Sequence, residues 1–230
     1  MAKRPFTFEA AADPCALRRQ GWPDKTANEI SQFSICVQPW LDDLTVRHGV
    51  VRKLISFDNP DDPPDVQVNF ERERVGFEIT RLVPQEFMHY EKVVQNATKG
   101  KNFTVSPSLT GPSFKTNGER VSYAVGSICN GGGWISVTDE AKAWVKEARH
   151  KFAEKVRRAG KGTYEYVAMF ADYSDLRASS SDVVQSLNQT IQNSQGYVPS
   201  LIMLLWTNPR QHQSWLMRKS ETMLHKEKKE

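Results

Sequence analysis

The stretch of sequence that decides the fold runs from residue 64 to residue 80 and reads PDVQVNFERERVGFEIT. Apolar and polar residues alternate on both sides of a short charged centre, which is the period-two pattern of two strands that each bury one face. If Arg72 and Glu73 close a hairpin, Phe70 opposes Val75 and every apolar side chain meets another apolar side chain. The pattern therefore predicts a β-hairpin with one apolar and one polar face.

Two carboxylates lie on the polar face of this predicted hairpin. Asp65 and Glu78 are diagonal neighbours in that register, with Cβ atoms about 7–8 Å apart, so that one cation can bridge them. Carboxylates with a backbone carbonyl, here that of Ile79, are ligands that suit Mg²⁺ or Mn²⁺. Glu78 is flanked by apolar residues, where a carboxylate without a role is costly, whereas Asp65 also fits a turn after two prolines.

The segments around the hairpin predict alternating helices and strands. A helix is expected from Thr26, with Thr26 and Glu29 as a capping box and a kink or end at Pro39. The other expected elements are strands over 50–57, 164–172 and 200–207, and helices over 85–99, 138–159 and 181–195. This order predicts an α/β fold in which helices flank a mixed central β-sheet.

The expected organisation is a single domain with two irregular ends. Prolines at positions 5, 14 and 23 favour an irregular N-terminal arm over residues 1–24. The α/β domain is expected over 25–222, with an insertion at about 100–137 that is rich in Gly, Ser, Pro and Asn. Residues 223–230 are expected to form a charged C-terminal tail.

Composition excludes several classes of protein. The chain has 230 residues, 39% of them hydrophobic, and a net charge of +4, which is too mild by itself to indicate a nucleic-acid partner. Its longest apolar run, Leu201 to Trp206, is far shorter than a membrane span needs, and no secretory signal is evident, so a cytoplasmic location is expected. Three cysteines that lie far apart predict neither a disulfide framework nor a zinc site.

Pro64-Asp65 at the entry to one strand and Glu78 near the end of the next, after a helix and a first strand, resemble the PD-(D/E)XK nuclease superfamily. The resemblance implies a restriction-endonuclease-like core that hydrolyses phosphodiester bonds of nucleic acid, with DNA favoured, using Mg²⁺ or Mn²⁺. It also implies that two copies can pair as a homodimer. Thr80 stands where the superfamily usually has a lysine, and this departure supports an alternative: a non-catalytic nucleic-acid- or protein-binding module on a degenerate nuclease fold.

Two further residues are candidates because of this resemblance. Some members of the superfamily supply the missing lysine from a neighbouring helix, and Lys155 lies about 60° from the centre of the apolar stripe of its predicted helix. It is therefore the candidate for that lysine, with a surface lysine as the alternative. Glu29 is the candidate for a third metal ligand from the first helix, although the capping box already explains it.

A basic segment provides the candidate nucleic-acid interface. Between Lys142 and Lys161 there are eight basic and two acidic residues. Such a density of positive charge can bind several phosphates, and a solvated helix face is the alternative interpretation. The residues expected to contact nucleic acid are Lys151, Lys155, Arg157 and Arg158.

Overall fold

The computed structural model describes residues 3–57, 64–82, 137–159, 163–172, 180–208 and 211–229. The helices are α1 (Phe8–Ala11), α2 (Pro14–Arg19), α3 (Asp24–Val37), α4 (Leu41–His48), α5 (Val137–Ala159) and α6 (Ser180–Asn193), and a 3₁₀ turn over Gln38–Trp40 joins α3 to α4. The strands are β1 (Lys3–Phe6), β2 (Val51–Phe57), β3 (Val66–Phe70), β4 (Arg74–Arg81), β5 (Tyr166–Asp172), β6 (Ser200–Asn208), β7 (Gln211–Met217) and β8 (Leu224–Lys229).

The eight strands form one mixed sheet in chain order, from β1 at one edge to β8 at the other. The central strands β4, β5 and β6 are parallel, and the strands on either side pair antiparallel. One hydrophobic core joins the sheet to helices α1–α4, and a second core joins its opposite face to α5 and α6. The predicted α/β class and mixed central sheet are therefore confirmed.

The β3–β4 hairpin has the predicted faces but not the predicted register. Val66, Val68, Phe77 and Ile79 all lie in the core on the α3 side, as the alternation predicts. Val68, however, pairs with Val75 instead of Phe77, a shift of two residues along β4. The cause is a turn that lies one residue earlier, over Glu71 and Arg72, where the N–H of Phe70 donates to the carbonyl of Glu73, 2.9 Å away. A shift of two residues leaves every side chain on its face, so only the cross-strand partners change.

Both ends of the described chain are more ordered than the sequence predicts. The expected irregular arm contains β1 and two short helices, capped by the side chains of Thr7 and Asp13. The expected charged tail contains β8, which pairs antiparallel with β7 along its whole length. Within β8, Lys226 donates to the Pro39 carbonyl at 2.9 Å and to Asp43 at 2.6 Å, so this strand is attached to the α3–α4 connection.

Two other predictions about the chain have different outcomes. The kink at Pro39 is confirmed, since α3 ends at Val37 and the chain turns before α4 begins. The helix expected over 85–99 and nearly all of the insertion expected over 100–137 fall outside the described residues. Within the described part of the chain, no helix has both the length and the apolar character that a membrane crossing needs.

A buried polar cluster lies at the turn end of the β3–β4 hairpin. The ring of His48 lies 2.6 Å from Glu73 through Nδ1 and 2.8 Å from the Tyr166 hydroxyl through Nε2. Burial raises the pKa of Tyr166, and the neighbouring Arg218 guanidinium partly offsets that effect. This cluster connects α4, the hairpin turn and β5, and it is separate from the carboxylates described next.

Candidate metal site

Asp65 and Glu78, termed the carboxyl pair below, lie on the face of the sheet that α5 covers. Glu78 is in β4, and Asp65 is the residue that immediately precedes β3. The observed register pairs Val66 with Phe77, and one step further along it Asp65 is opposite Glu78. The N–H of Ile79 donates to Oδ2 of Asp65 at 2.7 Å, which holds the carboxylate against β4. The two acids are thus directly opposed, which is closer than the predicted diagonal.

Glu78 is a buried carboxylate with one bonded and one unbonded oxygen. Its side chain is 5% exposed, and its Oε1 accepts a hydrogen bond of 2.6 Å from Nζ of Lys155. Its Oε2 is buried and has no hydrogen-bond partner among the described residues. A buried carboxylate oxygen without a partner is costly, and a bound cation would remove that cost.

Lys155 reaches Glu78 because it projects from the buried face of α5. Among the side chains of this helix that the structure describes, the fully buried ones are Trp144, Ala148, Phe152 and Ala159. At 100° per residue the centre of that set lies about 25° from Lys155, compared with the 60° expected from the sequence. The hydroxyl of Tyr164 donates to the Lys155 carbonyl and secures this turn of the helix. The side chain of Lys155 is 12% exposed, so the alternative of a surface lysine is wrong.

Electrostatics at the carboxyl pair favour the arrival of positive charge. Burial and the neighbouring Glu78 raise the pKa of Asp65 to about 7, against the smaller lowering effects of the Ile79 N–H and Lys155. Burial and the same two carboxylates also raise the pKa of Tyr164. One lysine therefore does not neutralise the two acids, and a divalent cation would do so.

Glu29 lies in α3, the helix that the sequence predicts from Thr26, but it does not cap this helix. The helix α3 begins at Asp24 with Pro23 as its N-cap, so Thr26 and Glu29 are both internal and the predicted capping box is wrong. Glu29 is 3.6 Å from Lys25, one turn earlier. It is close enough to contribute to the raised pKa of Asp65. Among the described residues, however, no three His, Cys, Asp or Glu side chains are grouped to hold a metal, so Glu29 and the carboxyl pair do not form a complete three-acid site.

Thr80 and Ile79 occupy the positions that the sequence assigned to them. Thr80 follows Glu78 on the same face of β4, is partly exposed, and has no charge to offer. The side chain of Ile79 packs in the opposite core. Because the N–H and C=O of an extended residue point to the same edge of a strand, the Ile79 carbonyl is directed to the same side as Asp65. It can therefore join the two carboxylates as an oxygen ligand.

The predicted nucleic-acid residues of α5 do not form one surface. Lys151 lies 3.9 Å from Glu147, and Arg158 lies 2.8 Å from Glu154. Lys155 is bonded to Glu78, and Arg157 is exposed on the outer side of the helix. Three of the four cations therefore already have an acidic partner, a pairing that charge density along the sequence does not reveal.

Neither of the two cysteines that the structure describes is placed as a metal ligand. Cys15 is exposed and Cys36 is buried, and both are free thiols. Burial raises the pKa of the Cys36 thiol, which keeps it neutral. The third, Cys129, lies outside the described residues.

Comparison with known proteins adds no relative to this description. No protein-family model, no curated protein and no solved structure matches the chain.

Proposed function

We propose that the protein is a Mg²⁺- or Mn²⁺-dependent nuclease built on a restriction-endonuclease-like core, as the resemblance to PD-(D/E)XK nucleases implies. The observation that carries the proposal is the contact between Lys155 Nζ and Glu78 Oε1, beside a carboxylate oxygen that has no hydrogen-bond partner among the described residues. A lysine, a buried glutamate and a directly opposed aspartate supply the three charged groups that the superfamily motif requires. The antiparallel β2–β3–β4 segment after α3, followed by α5 and the parallel strand β5, also supports this core.

The donor set fits a hard divalent cation. Glu78 Oε2, the Asp65 carboxylate and the Ile79 carbonyl are all oxygen donors, and Mg²⁺ and Mn²⁺ prefer oxygen. A bound ion of this kind lowers the pKa of its water and neutralises charge on a phosphodiester. The Ile79 N–H orients Asp65, and Lys155 occupies one oxygen of Glu78, so that the other oxygen would be available to hold a cation.

Lys155 supplies the positive charge that Thr80 lacks. Its ammonium is held at the carboxyl pair by the buried face of α5, where charge interactions are screened less than at the surface. A cation placed in this way stabilises negative charge that develops on a phosphate, and such a donor is commonly worth about 10²–10³ in rate. Nucleic acid is the substrate class of the proposal, and DNA is the first polymer to test.

The decisive experiment combines cleavage with direct measurement of metal binding. Labelled single-stranded and duplex DNA and RNA are incubated with the protein in 5–10 mM Mn²⁺ or Mg²⁺, and Mn²⁺ binding is followed by calorimetry. We expect Glu78→Gln to abolish both cleavage and Mn²⁺ binding, and Lys155→Met to reduce cleavage about 10²-fold while Mn²⁺ still binds. The matched control is Lys151→Met on the same helix, which should retain the parent rate within about threefold because Lys151 pairs with Glu147.

Two outcomes would contradict the proposal. Cleavage that survives Glu78→Gln would reject the mechanism, because no other pair of acids in the proposal holds the metal. A parent protein that binds nucleic acid but neither binds Mn²⁺ nor cleaves any polymer would support the binding-module alternative instead. Circular dichroism of each variant establishes that the helices are intact before either conclusion is drawn.

A further inference from the structure

The outer face of α5 carries positive charge that has no acidic partner among the residues that the structure describes. Lys146, Arg149 and Arg157 are all exposed, and none of them lies within 4 Å of an acidic side chain in the part of the chain that the structure describes. At 100° per residue the three fall within an arc of about 80° on the side of the helix away from its core. We call these three residues the outer strip.

Charges on α5 are separated by face. Glu147 and Glu154 lie on the flank that also carries Lys151 and Arg158, and each acid pairs with one of those bases. The remaining residues of the outer face between Lys146 and Arg157 are exposed and carry no acid. One flank is therefore electrically balanced, and the outer strip keeps a charge of +3.

We propose that the outer strip is a docking site for the sugar-phosphate backbone of nucleic acid, apart from the carboxyl pair. This inference rests on the proposed function, and of the four residues expected from the sequence to contact nucleic acid it keeps only Arg157, to which it adds Lys146 and Arg149. A rise of 1.5 Å per residue gives the strip a length of about 16 Å, along which one strand of a duplex presents about five phosphates. Each of the three cations can thus contact a phosphate without a change in the helix.

Chemistry of the strip favours nucleic acid over an anionic membrane. Helices that lie on membranes insert large apolar side chains beside their basic residues. The exposed large apolar residues among the described part of the chain are Val46, Val50, Tyr197 and Leu224, and none of them is on α5. Two of the three cations are arginines, which bind phosphate oxygens bidentately.

The test measures nucleic-acid binding in EDTA, which keeps divalent cations away from the carboxyl pair. Fluorescence anisotropy of labelled 20-nucleotide single strands and 20-base-pair duplexes is recorded between 50 and 300 mM KCl. The strip variant carries Lys146→Ala, Arg149→Ala and Arg157→Ala together. Its control, with the same loss of charge on other elements, carries Lys25→Ala, Arg52→Ala and Lys219→Ala.

Loss of three phosphate contacts should lower the slope of log affinity against log salt by about 2.7 for duplex and about 2.1 for single strands. At 100 mM KCl we expect binding by the strip variant to weaken at least tenfold, and binding by the control to weaken less than threefold. Equal losses in the two variants would show a general charge effect and would overturn the proposal. A parent that fails to bind at 50 mM KCl, or that binds phosphatidylserine vesicles in preference to nucleic acid, would also overturn it.

The experiments distinguish rejection of the docking site from rejection of the proposed nuclease activity. If Glu78→Gln abolishes cleavage while the strip variant binds like the parent, the nuclease stands and the docking site is rejected. If the strip variant loses binding in EDTA and no polymer is cleaved with any metal, the docking site stands and the nuclease is rejected.

Discussion

Replacement of Asp65 by asparagine should stabilise the protein at high pH. The amide is nearly isosteric with the carboxylate, and its oxygen can still accept the hydrogen bond from the Ile79 N–H. It carries no charge, however, so it ends the repulsion from Glu78 and the burial of an ionised group that together raise the pKa of Asp65 to about 7. The substitution therefore removes an electrostatic penalty while it keeps the local geometry.

The size of the effect follows from proton linkage. An unfolded aspartate has a pKa of about 3.9, so between pH 4 and pH 7 the folded parent holds a proton that the unfolded chain has released. The contribution of Asp65 to the free energy of unfolding of the parent therefore falls as the pH rises from 4 to 7, and it is constant above pH 7. A pKa of about 7 corresponds to about 4 kcal/mol above pH 7, and partial exposure of Asp65 reduces this to about 2–4 kcal/mol.

Urea denaturation in EDTA at pH 4.5, 6, 7 and 8.5 measures this difference. We expect the Asp65→Asn variant and the parent to have nearly equal free energies of unfolding at pH 4.5, and the variant to gain steadily up to pH 7. In thermal melts at pH 8.5 the gain should appear as a higher Tm of the variant, on the order of 5–10 °C. A variant that is less stable than the parent at pH 8.5, or a difference that does not change with pH, would refute this account of the carboxyl pair.

Three other predictions test separate features of the structure. Calorimetry should show that the Mn²⁺ affinity of the carboxyl pair rises about tenfold per pH unit up to about pH 7 and then levels, because the cation must displace the proton of Asp65. An affinity that does not change with pH would contradict binding of the cation by both carboxylates. Gly76→Ala should lower the free energy of unfolding, measured in urea, by about 1–3 kcal/mol, because the new Cβ would lie 2.9 Å from the Thr163 carbonyl oxygen. Gly196→Ala is the control: its Cβ would meet nothing within 4 Å, so it should cost about 1–2 kcal/mol through the positive φ alone. His48→Phe should cost about 1–3 kcal/mol because it removes the buried hydrogen bond between His48 and the Tyr166 hydroxyl. Tyr166→Phe in the same chain should recover part of that loss, and strict additivity in the double-mutant cycle would show that the two residues do not interact.

The faces of the hairpin could be predicted from sequence because side chains alternate whatever the register. The register itself depends on which two residues form the turn, and Glu71 and Arg72 carry none of the glycine or asparagine signals that identify a turn. The predicted register is wrong by two residues, so it places Asp65 diagonal to Glu78 although the two residues are directly opposed. It preserved the pairing of the two acids on one face, on which the site depends.

The orientation of α5 shows a different limit of sequence reasoning. The apolar stripe that the sequence predicts for this helix contains Ala141, Val145, Ala148, Phe152 and Val156. It does not contain Trp144, although the side chain of Trp144 is fully buried. Trp144 and Ala159 are fully buried, whereas Val145 and Val156 are only partly buried. The buried face is therefore centred about 25° from Lys155 instead of the expected 60°. Only the packing of α5 against the sheet decides which of these faces is buried.

The N-terminal helices and the last strand were missed for physical reasons that differ. Asp13 is an N-cap, and Pro14 follows it at the first helical position. This pair of residues is typical of a helix start, whereas the three prolines of the segment favour an irregular chain. The strand β8 has no apolar alternation, because it is held by backbone pairing to β7 and by the contacts of Lys226. An edge strand of this kind cannot be predicted from a hydrophobic pattern.

The outermost strands of the sheet affect how separate copies of this protein meet. Pro5 in β1 has no N–H to donate to a neighbouring strand, and four of the six residues of β8 are charged. Edges of this composition are poor templates for a strand from another molecule, so domain swapping and amyloid-like growth through the sheet are disfavoured even in concentrated solution. A homodimer of the kind that the resemblance to nucleases implies would therefore form through helices or loops, and its contacts should leave amide-exchange protection of β1 and β8 unchanged.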